Sequence, residues 1–171
     1  SETTTTYDGL SRPTLIQRRD LSGIASTEYE RFEYDAFGRT TFASWPSHSS
    51  APTRGIDTSY DALGRVEIIA ENVTPYAQTS FEYLSGDRVK STDPQGHEVT
   101  TTYAGYYPLS TVAPIKYEHP LGIKTTIKRN IWGQPSSVVQ SGSWNGSPIS
   151  QTQNYFYNDK LELCGHYAIE T

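Results

Sequence analysis

Tyr34-Asp35-Ala36-Phe37-Gly38-Arg39 is followed 26 residues later by Tyr60-Asp61-Ala62-Leu63-Gly64-Arg65. Self-similarity at a period of roughly 20 to 50 residues marks an array of supersecondary units, each too small to bury its own apolar face and dependent on its neighbours. Weaker copies lie on both sides. Tyr7-Asp8-Gly9-Leu10-Ser11-Arg12 keeps the Tyr-Asp and the Arg but puts Ser11 where the others have glycine. Asp93-Pro94-Gln95-Gly96 leads through Val99 to Tyr103, and His119-Pro120-Leu121-Gly122 leads through Thr125 and Thr126 to Arg129, each seven residues after its glycine. Arg129-Asn130-Ile131-Trp132-Gly133-Gln134 reads as a copy in which Arg, Asn and Gln stand for Tyr, Asp and Arg. Units therefore fall near 7–12, 34–39, 60–65, 83–88, 93–103, 119–134 and 155–164. Tyr7, Tyr34, Tyr60 and Tyr83 are 27, 26 and 23 residues apart, a drift that implies loops of variable length joining similar strand pairs.

One unit reads as a β-hairpin with a tight turn. Arg31-Phe32-Glu33-Tyr34, Thr79-Ser80-Phe81-Glu82-Tyr83 and Val99-Thr100-Thr101-Thr102-Tyr103 alternate aromatic or β-branched residues with polar ones, the period-two signature of a strand. Thr40 to Ala43 and Val66 to Ala70 resume strand character after the turn. Asp35 and Asp61 are placed to bond backbone N–H groups two residues on, and Gly38 and Gly64 can take positive φ without steric cost. The tyrosines offer a flat body to pack on the next hairpin and a hydroxyl that seeks water or a partner. Arg39 and Arg65 are expected to lie across such rings or to pair with an acid on the adjoining strand. Trp144-Asn145-Gly146-Ser147 is a separate hairpin signal, since Asn-Gly favours the two-residue type I′ turn. Ile24 to Phe37 carries Glu and Arg, yet Thr27, Tyr29, Phe32 and Tyr34 fit strand alternation better than helix. The fold class expected is all-β: repeated antiparallel hairpins in a twisted, ribbon-like sheet.

Composition fits such a chain. Of 171 residues, 35% are hydrophobic and 19% charged, with 13 Tyr against 5 Phe and no Met; average globular domains run to about 45–50% apolar, glycine included, and about 25% charged. Thr, Ser, Gln and Asn fill the deficit, so the sheets expected are wet on at least one face. A single sheet of hairpins buries little and exposes unpaired edges. The expectation is thus one repeat segment over 1–171, belonging to a longer chain or completed by another segment. Net charge of −5 with no basic stripe argues against nucleic acid as a partner. No apolar run approaches the ~18 residues of a membrane-spanning helix.

The Tyr-Asp-x-x-Gly-Arg units, the Asp-Pro-x-Gly connectors and the threonine-rich strands leading to the next Tyr resemble the YD repeats of the bacterial Rhs family. The B and C components of Tc insecticidal toxins belong there, and the teneurins carry a related repeat region. Tyr155-Phe156-Tyr157-Asn158-Asp159-Lys160-Leu161-Glu162-Leu163-Cys164 resembles a variant unit of bacterial members, so the resemblance runs from about Tyr7 to Cys164. It implies a ribbon of hairpins wound into a hollow β-shell around a C-terminal toxic polypeptide. The partners implied are the remainder of the shell polypeptide or a second shell component, and the enclosed toxin domain. It also implies a secreted or cell-surface bacterial location. The structural repeat residues so marked are Tyr7, Asp8, Tyr34, Asp35, Gly38, Arg39, Tyr60, Asp61, Gly64, Arg65, Asp93, Pro94, Gly96, Pro120, Gly122 and Gly133.

Catalytic readings are weaker than turn readings throughout. Members of that family that release cargo by self-cleavage use aspartates around an extended Asp-Pro-x-Gly motif, but here Asp93-Pro94-Gln95-Gly96 is followed by His97-Glu98-Val99, without further glycines, so catalysis is not carried over to Asp93. Cys164 and His166 flank Gly165 and could share a strand face, yet a thiol enzyme needs an orienting third group and zinc about three or four ligands; a buried structural cysteine beside a surface histidine is the plainer expectation. His48 falls in the Ser/Pro-rich stretch from Ser44 to Thr53, read as a loop, and His97 and His119 fall at turns. Asn72-Val73-Thr74 and Asn145-Gly146-Ser147 match the glycosylation sequon, but turn chemistry accounts for both. The expectation is no enzyme, no cofactor and no metal. The alternative function is a carbohydrate-binding or adhesion module using Trp45, Trp132 and Trp144.

Overall fold

The computed structural model describes residues 1–21, 26–105 and 113–170. Apart from a single 3₁₀ turn at Pro120–Gly122, the regular structure within them is β, and the strands follow one another in the sheet in chain order, each paired antiparallel with the next wherever the register is defined. The expected all-β hairpin array is what forms. The chain gathers into two units, Ser1–Ser80 and Phe81–Thr171.

The first unit holds β1 (Glu2–Tyr7), β2 (Pro13–Arg19), β3 (Thr27–Tyr34), β4 (Thr40–Ser44), β5 (Gly55–Tyr60), β6 (Val66–Glu71) and the start of β7 (Gln78–Leu84). The stretch read as strand from Ile24 is strand over β3; Ile24 itself lies outside the described residues. The second unit holds the rest of β7, then β8 (Arg88–Thr92), β9 (Glu98–Tyr103), β10 (Pro114–Glu118), β11 (Lys124–Arg129), β12 (Pro135–Trp144), β13 (Ser147–Tyr157) and β14 (Leu163–Glu170).

An up-and-down sheet sends successive turns to alternate ends. In the first unit the turns beginning at Asp8, Asp35 and Asp61 share one end of the strands. In the second unit those beginning at Asn130 and Asn158 share an end, whereas the turns at Asp93, His119 and Asn145–Gly146 lie at the opposite one. The Asp-Pro-x-Gly connector is therefore the far turn of a hairpin pair, and the seven residues from Gly96 to Tyr103 or from Gly122 to Arg129 are the strand between the two ends.

Burial is sparse. Phe42, only 3% exposed, and Val89 are the buried large hydrophobic residues among those described, joined by Ser44 and the fully buried Pro52. Phe42 sits on β4 opposite Glu33 and Asp57, with the Arg31 guanidinium 4.7 Å above its ring. The segment after β4, expected to be a plain loop, folds back on β3. Tyr29 and Ser47 exchange backbone hydrogen bonds of 2.7 and 3.0 Å, the Arg31 amide donates to Ser44 Oγ at 2.7 Å, and His48 Nδ1 bonds Thr27 O at 2.8 Å. Asn72 accepts from the Gly55 amide and donates to Thr53 O, both at 2.8 Å, closing the other side. Crowding at Gly55 is severe: an added Cβ would overlap Ala43 O and come within 2.6 Å of Ser44 Cα, both backbone atoms.

Phe42→Ala should destabilise the chain by about 3 kcal/mol, and Gly55→Ala by roughly 1–3 kcal/mol because backbone must move. Gly165→Ala, where nothing lies within 4 Å, should change stability by less than about 0.5 kcal/mol. Urea unfolding of the three variants checks the order; equal losses at Gly55 and Gly165 would contradict the packing described.

Candidate functional site

The turns that begin at Asp8, Asp35, Asp61, Asp93, Asn130 and Asn158 share one hydrogen-bond pattern. The first residue's side-chain Oδ1 accepts from the backbone amides two and four residues on: Leu10 and Arg12, Phe37 and Arg39, Leu63 and Arg65, Gln95 and His97, Trp132 and Gln134, Lys160 and Glu162, all at 2.8 to 3.0 Å. Its own amide donates to the carbonyl of the fifth residue, and the fourth residue's amide returns to its carbonyl. The fourth residue has positive φ in every case, from 62° at Ser11 to 85° at Gly38. This is the three-residue hairpin loop that ends in a left-handed residue and a bulge. The pairing register slips at that point, for example between Glu33 and Tyr34 and between Ser59 and Tyr60. Asp is selected because a short acceptor can satisfy two inward-facing amides that no strand reaches.

The fifth residue closes the loop. Arg12, Arg39 and Arg65 each place a guanidinium on Oδ2 of the same turn's aspartate at 2.6 to 2.7 Å. The acid expected on an adjoining strand is thus inside the turn itself, four residues back, because the bulge swings both side chains to one side. At Asp93 the partner is His97, whose Nδ1 lies 3.0 Å from Oδ2. At Asn130 the amide Nδ2 donates to Gln134 Oε1 at 3.0 Å, and at Asn158 Nδ2 donates to Glu162 Oε2 at 2.9 Å. Asp–Arg, Asp–His, Asn–Gln and Asn–Glu fill one geometry, so the motif survives loss of its charges. The turn at His119 differs: Leu121 and Gly122 both have positive φ, and His119 stacks on Tyr117 at 6.0 Å. Gly86 with Asp87, and Asn145 with Gly146, also pair positive φ values, the latter as the expected type I′ turn between Trp144 and Ser147.

Neighbouring turns at Asp8, Asp35 and Asp61, and those at Asn130 and Asn158, are tied together. Arg12 lies 4.6 Å over the Tyr34 ring and donates to Asp35 O at 3.3 Å; Arg39 lies 4.4 Å over the Tyr60 ring. Gly64 leaves room for this, since a Cβ there would stand 3.1 Å from Arg39 Nη1. The tyrosine hydroxyls reach back to the first residue of the strand after the preceding turn: Tyr34 to Pro13 O, Tyr60 to Thr40 O and Tyr157 to Pro135 O, at 2.8 to 2.9 Å. Where Arg129 replaces the tyrosine, it donates to Pro114 O at 3.0 Å. Gln134 replaces the stacking arginine by donating to Leu161 O in the next turn at 2.8 Å. Proline is tolerated at 13, 114 and 135 because each begins its strand. This side-chain ladder was not visible in the motif, whose residues carry no mark of which carbonyl they will meet.

The aspartate oxygens are occupied. At Asp8 the backbone amide of Arg12 is the main influence and holds the carboxyl below its usual pKa, as the His97 amide does at Asp93. At Asp35 and Asp61 desolvation pushes upward, but bonds from Arg39 and Arg65 outweigh it and leave both carboxyls lowered. Lys90 is raised by hydrogen bonds to Glu82 and Glu98, which flank it at 2.8 and 3.3 Å.

Other candidates do not assemble into chemistry. Cys164 is exposed, which corrects the expectation of a buried cysteine: β14 leaves that face open, and Sγ donates to Phe156 O at 3.3 Å. His166 stacks on Tyr155 at 6.3 Å. Among the described residues no three His, Cys, Asp or Glu side chains come together as a metal group would require. A groove of about 700 Å³ is lined by Ile123, Gln140, Gly142, Ile149, Gln151 and Glu170, with one carboxylate in its wall. Trp132 and Trp144 are exposed, one in the turn before β12 and one at its far end.

The sequence matches no known family profile and no curated protein. Among solved structures the chain is similar to the crystal structure of TcdB2-TccC3-Cdc42, with a TM-score of 0.59 and 14% identity over 97% of this chain and 9% of that one. A porin-like protein from Bacteroides uniformis aligns over 99% of this chain and 89% of its own at a TM-score of 0.42 and 14% identity. The likeness to TcdB2-TccC3 is one of fold: the chain spans about a tenth of that polypeptide.

Asp35→Ala should lower the melting temperature by several degrees, while Asp35→Asn with Arg39→Gln, which installs the pair seen at Asn130 and Gln134, should recover most of it. Because the native carboxyls titrate below their unfolded value, their contribution is present above about pH 4 and is lost as pH falls through the lowered pKa. Melting curves from pH 7 to 2 should show a shallower acid loss in the Asn–Gln variant; an identical pH profile would refute the role of the Asp35–Arg39 pair.

Proposed function

We propose that this segment forms part of the wall of a hollow β-cage enclosing a C-terminal toxin polypeptide, in a secreted or delivered bacterial protein of the Rhs type. The observation that carries it is the ladder of turns. A sheet with so few buried residues lacks the core that usually stabilises a domain. Here the turns supply the missing rigidity, Arg12 and Arg39 reaching the next turn and Tyr34, Tyr60 and Tyr157 the hairpin before. That construction suits a wall, which needs extent and shape more than thickness. The fold likeness to TcdB2-TccC3, a Tc toxin structure, supports the same reading, as do the YD-like units. Its partners on this reading are the rest of the shell and the enclosed polypeptide.

Glycan recognition is less well supported. Trp132 and Trp144 stand at the two ends of β12, which at about 3.3 Å per residue separates them by roughly 30 Å, too far for one stacking platform.

The test is limited proteolysis of the complete open reading frame carrying these 171 residues. A C-terminal fragment should resist protease in the native protein and become sensitive when Arg12→Ala and Arg39→Ala loosen the ladder. A C-terminal region equally sensitive in both would sink the proposal, as would micromolar glycan-array binding that disappears with Trp132→Ala or Trp144→Ala.

A further inference from the structure

At the end of the strands opposite the Asp35 and Asp61 turns, the loop from β4 to β5 encloses a pocket of about 400 Å³ lined by Trp45, Ser47, Ser49, Pro52, Thr53 and Arg54. Its frame is fixed from several sides. The Trp45 amide donates to Arg54 O across the neck, Ser47 exchanges two backbone bonds with Tyr29, His48 bonds Thr27 O, and Pro52 is fully buried. The polar groups of the wall divide by type. Acceptors are spent: Ser47 O takes the Tyr29 amide, Thr53 O the Asn72 side chain and Arg54 O the Trp45 amide, at 2.7 to 3.0 Å. Donors remain open. Ser47 Oγ and Ser49 Oγ accept the Ser49 and Ala51 amides at 3.2 and 3.3 Å, and neither hydroxyl proton has an acceptor among the described residues. Arg12, Arg18, Arg31, Arg39 and Arg65 each hold a carboxylate at 2.6 to 3.1 Å. Among the described residues the Arg54 guanidinium has only the Trp45 indole, 6.0 Å from its centroid against 4.4 to 5.1 Å in the other Arg–ring pairs. In a chain with 19 acidic residues, none lines this pocket.

We propose that this pocket binds a small organic anion carried on a flat ring, an aryl carboxylate or aryl phosphate, with the ring against the Trp45 indole and the anionic group on Arg54 and the serine hydroxyls. Open donors beside spent acceptors select a negative guest, because a neutral or cationic one would displace water from the guanidinium and hydroxyls without replacing its bonds. The indole selects a ring, since aromatic faces stack with offset at about 4.5–7 Å between centroids. Arg54 lies near enough to Trp45 for one ligand to touch both. A guanidinium fork matches the paired oxygens of a carboxylate or a phosphate. Size agrees too, small-molecule pockets running from about 300 to 1,000 Å³. The loop is fastened before any ligand arrives, so little ordering opposes binding. This site goes beyond the cage reading and does not depend on it.

The test is titration of the 171-residue chain with naphthoate, naphthyl phosphate and neutral naphthamide, followed by calorimetry and by the indole N–H resonances of Trp45, Trp132 and Trp144. At least one of the anions should bind with a Kd on the order of 0.1–1 mM and shift the Trp45 resonance alone. The tighter of the two anions tells carboxylate from phosphate. Naphthamide should bind at least about tenfold more weakly. Arg54→Gln should weaken anion binding about tenfold while leaving naphthamide unaffected, and Arg54→Lys should recover part of the loss. Arg54 is exposed, so an unchanged backbone amide spectrum is expected for both variants. Trp132→Phe with Trp144→Phe should leave binding intact. No anion binding below about 10 mM, equal binding of naphthamide, an Arg54→Gln variant that binds as the parent does, or a shift at Trp132 or Trp144 in place of Trp45 would each overturn the proposal.

Discussion

One side-chain oxygen, accepting two backbone amides inside a three-residue loop, is the constraint on which the rest depends. The bond from Oδ1 to the second and fourth amides after Asp35 fixes the loop length, puts the fourth residue in the left-handed region and goes with the bulge that pairs Tyr34 with Thr40 and leaves Arg39 to its own Asp35. Remove the acceptor and two amides lose their partner, the loop loses its length and the arginine loses its anchor. Everything that couples hairpins lies downstream of that bond.

Coupling between hairpins takes over the part that a core plays elsewhere. Sheets normally hold shape by burying one face against a second layer, but here Phe42 and Val89 are the large hydrophobic residues buried among those described. What holds neighbouring turns together is polar and directional: a tyrosine hydroxyl on a carbonyl, a guanidinium over a ring, an amide on the next turn's carbonyl. Such bonds contribute little singly and add along the array. Their chemistry is also interchangeable. Arg129 does for Pro114 what Tyr34 does for Pro13, and Gln134 does for Leu161 what Arg12 does for Asp35. Selection on geometry rather than identity explains why the repeat is so degenerate in sequence.

The hairpin array, the strand stretches and the Asp and Gly roles were legible because period-two alternation and turn chemistry are local. What was not legible depends on neighbours. Arg39 pairs with its own Asp35 rather than an adjoining strand because the bulge, invisible in the motif, brings them together. The segment from Ser44 to Thr53 looked like loop since Ser and Pro dominate it, yet Ser44 ends β4, Ser47 pairs with Tyr29 and Pro52 packs away from water. Cys164 looked like a core residue by type, and its exposure follows from the open face of β14. Within the second unit the two ends of the strands were merged in the sequence because Asp93-Pro94-Gln95-Gly96 forms the same loop as Asn130-Ile131-Trp132-Gly133 while lying at the opposite end.

The proposed role as a cage wall requires rigid turns. Hydrogen exchange of the backbone amides at Phe37, Arg39, Leu63 and Arg65 measures this directly, since all four lie in exposed turns yet donate to an aspartate oxygen. Protection comparable to that of the flanking strand amides in β3 to β6 is the predicted result. Turn amides that exchange as fast as an unstructured peptide, while the strands remain protected, would contradict it.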